Sequence, residues 1–169
     1  RFVKPGETAV VFLAPLATGG ETLAVKIPLS WGNYYLVENR QPVGFDRALP
    51  DSGILVLKVN PDAAEGYGTV KIMDADPASR HFMKAAYRLD AAGRDLFKEG
   101  DVAVIPAWKE GDKLGVVVTT PVRSAEALKA ARAVGALMKE KGPRDPLAAE
   151  ARAAFVANDF KRSIGIAGR

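Results

Sequence analysis

Hydrophobic positions in the first two thirds of the chain fall in short runs rich in β-branched and aromatic residues, set apart by clusters of Gly, Pro, Asp and Asn. Such runs bounded by turn residues predict strands. They cover residues 8–13, 22–27, 34–41, 54–60, 69–73, 101–108 and 113–120. Ala17-Thr18-Gly19-Gly20 supplies a turn that reads residues 7–28 as a hairpin, and Lys109-Glu110-Gly111-Asp112 does the same for the last two strands. The run Ile54–Val59 is almost continuously apolar, which predicts a strand covered on both faces. Asp76-Pro77 reads as an N-cap and first position of a helical turn, and residues 78–98 as a short helix or ordered loop.

At Pro121 the period lengthens. Ser124 is placed to cap a helix with Glu126 in its first turn, Leu128, Ala131, Val134 or Gly135 and Met138 mark one face, and Gly142-Pro143 ends it. Asp145-Pro146 opens a second helix bearing Leu147, Ala151 and Phe155. The last eight residues are expected to fray. The resulting expectation is a mainly β fold, an antiparallel sandwich or curled sheet of about seven strands in residues 1–121. A basic tail of two short helices, residues 122–169, packs on it or on a missing neighbour.

The stretch from Tyr34 to Asn60 carries the most specific pattern. Glu38 and Arg40 lie two apart on one strand and share a face, with Val37 and Asn39 on the other. Charges at a half-buried strand need partners, so Glu38 and Arg40 are expected to bond each other's neighbours or the loop carboxylates Asp46 and Asp51. The order Tyr-Tyr-Leu-Val-Glu-Asn-Arg-Gln (residues 34–41), then Gly44-Phe45-Asp46, Leu49-Pro50, Gly53 and an apolar strand, resembles the block downstream of the zinc-binding helix in secreted zinc metallopeptidases of the immune inhibitor A type. The resemblance is good over residues 30–60, thin as far as about 120 and fades in the tail. Lys58 stands where relatives often carry His. What the resemblance implies is a non-catalytic accessory region of such a peptidase, outside a prokaryotic cell or on its surface. Its partner would be the catalytic portion of the same polypeptide or a surface protein. Glu38, Asn39, Arg40, Gly44, Asp46, Pro50 and Gly53 would be scaffold residues rather than catalysts.

Composition narrows the chemistry. The chain has 169 residues, enough for a core, with 48% apolar and 26% charged side chains, the profile of a folded globular chain. It begins with Arg, which reads as a trimmed domain or mature fragment. No apolar run is long enough for a transmembrane helix. With no cysteine, disulfides and thiolate chemistry are excluded. The net charge of +4 is uneven: residues 1–121 hold 14 basic and 15 acidic side chains, residues 122–169 hold 10 and 5. A basic excess confined to the tail reads as a solvated helical surface, not as a nucleic-acid reader.

One histidine, His81, cannot supply His-Glu-x-x-His, so no zinc is expected in this chain. Asp74 and Asp76, with Asp62 and Glu65, are candidate calcium ligands, although they match no complete loop motif. Glu38 with Asp46 is a candidate acid–base pair, weighed against an ion-paired strand and loop. Trp31, Tyr34, Tyr35 and Tyr67 flank strand ends and are candidate contacts for a peptide or sugar, weighed against core packing. An independent cell-surface binding module is the alternative to the accessory region.

Overall fold

The computed structural model describes residues 1–64 and 66–169. Among the described residues, eight strands form two antiparallel four-stranded sheets, and three helices follow. The strands are β1 (Ala9–Leu13), β2 (Ala24–Pro28), β3 (Tyr34–Arg40), β4 (Gly53–Val59), β5 (Val70–Ile72), β6 (Phe97–Glu99), β7 (Val102–Glu110) and β8 (Lys113–Thr119). The helices are α1 (Pro121–Lys141), α2 (Pro146–Val156) and α3 (Phe160–Ala167). One sheet has the order β2-β3-β4-β5, the other β1-β8-β7-β6.

The sheets are packed by alternate side chains. Val25, Ile27, Tyr35, Val37, Ile54 and Val56 from the first share one buried cluster with Val11, Leu13, Phe97, Val104, Val116 and Val118 from the second. The helices cover the outer face of the second sheet, where Ile105, Ala107 and Val117 meet alanines of α1 and α2 together with Phe155, Phe160 and Ile166. Small alanine side chains let the helices lie close to the sheet. β7 and β8 therefore read as unbroken apolar runs because both their faces are buried. The antiparallel sandwich with a helical end holds, with a larger helical share than "mainly β" implies, since α1 alone spans 21 residues.

Several local expectations change. Residues 7–28 are not a hairpin: β1 pairs with β8 and β2 pairs with β3, so the Gly19-Gly20 connection carries the chain from one sheet to the other. A turn between sheets needs the same flexible residues as a hairpin turn, so local chemistry does not separate them. β4 is covered fully on one face and in part on the other: Gly53 and Val59 are buried there but Leu55 and Leu57 between them are half-buried, because the helices lie on the other sheet. Asp76-Pro77 opens no α-helix. Asp76 N–H instead donates to Asp74 Oδ1 at 2.9 Å, and only a 3-10 turn follows at Arg80–Phe82.

α1 starts at Pro121 with Thr120 as its cap, and Ser124 Oγ bonds back to Pro121 O at 2.7 Å inside the first turn. Asp145 caps α2 through Leu147 and Ala148 N–H, as its spacing from Pro146 predicts. The terminal residues form a helix: Asp159 caps α3, and Phe160 and Ile166 are buried. Arg123 fastens this end by donating to Thr8 Oγ1 and Asn158 O, at 2.9 and 3.2 Å. No helix among the described residues is long and apolar enough to cross a membrane.

Candidate functional site

β3 ends in a polar knot that fixes the long loop to β4. Glu38 and Arg40 share one face of the strand, as the sequence predicts, and the structure puts that face outward and Asn39 inward. Asn39 Nδ2, fully buried, donates to Leu13 O in the opposite sheet at 2.8 Å. Gln41 Nε2 donates to Asn39 Oδ1 at 3.2 Å and to Asp112 O at 2.8 Å, tying the loop to the β7–β8 turn.

Arg40 is the centre of the knot. Its Nη1 donates to Glu38 Oε2 at 3.2 Å and its Nη2 to Asp46 Oδ1 at 2.8 Å. Burial works against the guanidinium charge, but the bonds to Asp46 and Glu38 together outweigh it and raise its pKa. Both carboxylates bond one cation, which is the ion-paired strand and loop weighed from the sequence. Asp46 sits in the 3-10 turn Gly44–Asp46. Gly44 has φ of +54°, and a Cβ there would stand 3.2 Å from Ala17 O, so the turn fits glycine on both counts.

Asp51 does not join Arg40. Its Oδ2 accepts from Arg94 Nη1 at 2.5 Å and its Oδ1 faces Arg88 Nη1 at 3.5 Å. Arg94 also donates to Lys84 O and Ala86 O, which holds the 84–94 segment against the loop. Gly53 starts β4 at φ +149°, where a Cβ would lie 2.5 Å from Tyr87 O. Ile54 and Tyr87 exchange backbone hydrogen bonds of 2.9 and 2.8 Å beside it. Pro50 is exposed on the loop.

This frame holds Phe45 almost wholly in solvent, at 98% exposure, between two residues whose positions are fixed. The other candidate aromatics separate. Tyr35 is 2% exposed and packs edge-on against Phe97, so it belongs to the core. Tyr34 is half-buried under Lys26 Nζ, which lies 3.8 Å from its ring centre. Trp31 and Tyr67 are exposed, at 88% and 81%. The Ser30-Trp31-Gly32-Asn33 turn joins β2 and β3 with Trp31 at φ +58° and Gly32 at φ +71°, a conformation that Asn or Gly adopts at lower cost than Trp.

The candidate calcium ligands do not gather. Asp74 and Asp76 share a turn, with Lys84 Nζ 4.0 Å from Asp76, while Asp62 lies exposed on the β4–β5 connection. Among the described residues, no three His, Asp or Glu side chains come together as a metal site. Glu65, the fourth candidate, lies outside the described residues. His81 is exposed, at φ +56°.

Sequence reasoning missed a second polar cluster. Lys58 Nζ donates to Glu99, which also lies beside the phenol of Tyr35, the cross-strand neighbour of Lys58. The Lys58 bond lowers the pKa of Glu99 against an opposing effect of burial, and burial with the nearby Glu99 raises that of Tyr35. Arg132–Asp95 and Arg152–Glu110 likewise join α1 and α2 to residues 37 and 42 positions away. Separations of that order leave no local pattern to read.

A comparison of the chain with protein-family models, with curated proteins and with solved structures finds no match to any of them.

Proposed function

We propose that this chain is a non-catalytic accessory region of a secreted metallopeptidase similar to the immune inhibitor A type. It buttresses the catalytic portion or presents substrate to it, outside a prokaryotic cell. The observation that carries the reading is the Arg40 knot. Four of the residues quoted for the resemblance, Glu38, Arg40, Gly44 and Asp46, form the ion-paired strand and turn that carry the exposed Phe45. A rigid support and an uncovered aromatic suit contact with a neighbouring piece of protein, because little ordering entropy is lost on docking. Catalysis has no comparable support. Each strand and loop carboxylate of the knot is bonded to a guanidinium, and the single histidine, His81, is exposed.

The test has two steps. The reading frame ahead of Arg1 is read for His-Glu-x-x-His, and casein cleavage is measured for the chain alone and for the longer product. The reading expects the motif, no cleavage by the chain alone, and chelator-sensitive cleavage by the longer product. A frame without the motif, or zinc-dependent cleavage by this chain, overturns it.

A second reading, an independent surface module that grips peptide or carbohydrate, is favoured by Trp31. A bulky ring held at positive φ and fully displayed is a strained arrangement of the kind found at ligand contacts. Trp31→Asn relieves the strain. In this reading it raises stability and removes ligand binding together.

A further inference from the structure

We propose that the cavity between α1 and the bulged stretch of β7 binds an amphipathic anion, a small apolar body carrying one carboxylate-type head. This inference stands apart from the accessory reading and does not involve Glu38, Arg40, Asp46 or Phe45.

The cavity has a volume of about 400 Å³ and opens to solvent on one side, within the range of small-ligand pockets. Its existence follows from two local features. The ladder between β7 and β8 slips between Pro106 and Lys109, which bends β7 away from regular pairing. Opposite it, α1 offers a stripe of Arg132, Gly135, Ala136 and Lys139, residues that share one helical face. The middle of that stripe has almost no side chain. A Cβ on Gly135 would meet Leu89 Cδ2 at 3.2 Å, so the glycine lets the 88–90 loop close the far wall.

The walls are apolar: Leu89, Trp108, Leu114 and Ala136. Trp108 is fixed by Phe12 and Phe155, at ring separations of 6.1 and 4.8 Å, and its Nε1 donates to Glu110 at 3.2 Å. With that donor already engaged, the ring offers a ligand only apolar surface. A polar head belongs at the mouth.

The mouth is cationic. Arg88 is occupied by Asp90, bonded to both of its oxygens at 2.9 and 2.8 Å, and Arg132 is occupied by Asp95. Lys109 donates to the neutral side-chain oxygen of Gln41, at 3.1 Å, and Lys139 lines the same mouth. Asp90, the carboxylate on the lining, is already bonded to Arg88, so the two ammonium groups beside an apolar chamber favour a ligand with an apolar end and an anionic end, over a neutral or cationic one.

Decanoate is the probe, with decanol as its neutral counterpart, both kept below their aggregation limits. The chain has two tryptophans, so Trp31→Phe leaves Trp108 as the sole indole reporter. Decanoate should give a saturable change in Trp108 emission and bind at least tenfold more tightly than decanol. Ala136→Leu, at an exposed helical position, should weaken both ligands at least tenfold by filling the chamber. Lys109→Glu with Lys139→Glu should weaken decanoate at least tenfold and decanol less than twofold, and these surface changes keep the test valid if the filled chamber disturbs folding. No saturable signal, equal affinity for decanol, or decanoate binding untouched by the charge reversals overturns the proposal.

Discussion

Lys58 on β4 and Glu99 on β6 form an ion pair that bridges the two sheets, with the phenol of Tyr35 beside the carboxylate. In this fold the pair holds the sandwich together at its edge.

The bridge makes a signed prediction. Its side chains are more than a third exposed, 39% and 37%, so Lys58→Ala should cost under about 1 kcal/mol at neutral pH. Glu99 has its pKa lowered chiefly by the Lys58 bond. A lowered folded-state pKa contributes stability above the unfolded value and loses it as the pH falls through the folded one. Urea midpoints of the parent and Lys58→Ala should therefore differ at pH 7, begin to draw together as the pH falls through about 4, and converge below the lowered folded-state value. A gap that persists there contradicts the assignment.

Arg40→Ala should be far more damaging. It leaves Glu38 and Asp46 without a counter-charge at a site where Arg40 is only 25% exposed. A loss of about 2–3 kcal/mol is expected, since stripping one partner leaves the other charges poorly solvated. Arg40→Lys keeps the charge without the two-pronged geometry and should recover part of the loss. Thermal melting followed by circular dichroism measures both. A parent-like melt for Arg40→Ala rules out the knot as the loop's anchor.

At the alkaline end Tyr87 takes over. Burial, with Asp74 and Glu99 nearby, pushes its phenol from 10.0 up to about 12. A raised folded-state pKa gives stability that is complete below the unfolded value and disappears as the pH climbs through the folded one. The parent should lose stability relative to Tyr87→Phe between about pH 10 and pH 12, read as a shrinking difference in urea midpoints. A constant difference across that window places the tyrosine's ionisation elsewhere.

How far the sequence could be read depended on how local the deciding contact was. The face-sharing of Glu38 and Arg40, the bond to Asp46 and the Asp145 cap were legible, because each rests on a spacing of two to six residues. The pairing of Val11 with Val116 was not, since nothing near Gly19-Gly20 says which strand the chain will meet next. β4 was misread as two-faced because its apolar run resembles those of β7 and β8, and only the placement of the helices distinguishes them. α3 was missed because its anchor, Arg123 to Asn158 and Thr8, joins three distant stretches. The cavity under α1 was also invisible. Gly135 read as one apolar position among others, and its role depends on Leu89.

The central claim is that the Arg40 knot exists to display Phe45 to an adjoining catalytic portion. The most direct measurement is calorimetric binding of this chain to the separately produced polypeptide encoded ahead of Arg1, compared for the parent and Phe45→Ser. Phe45 is 98% exposed, so the substitution should leave the melting temperature unchanged. The account predicts saturable binding that weakens at least tenfold in Phe45→Ser, the loss expected of a central aromatic contact. Absence of binding, or equal affinity for the two forms, would contradict it.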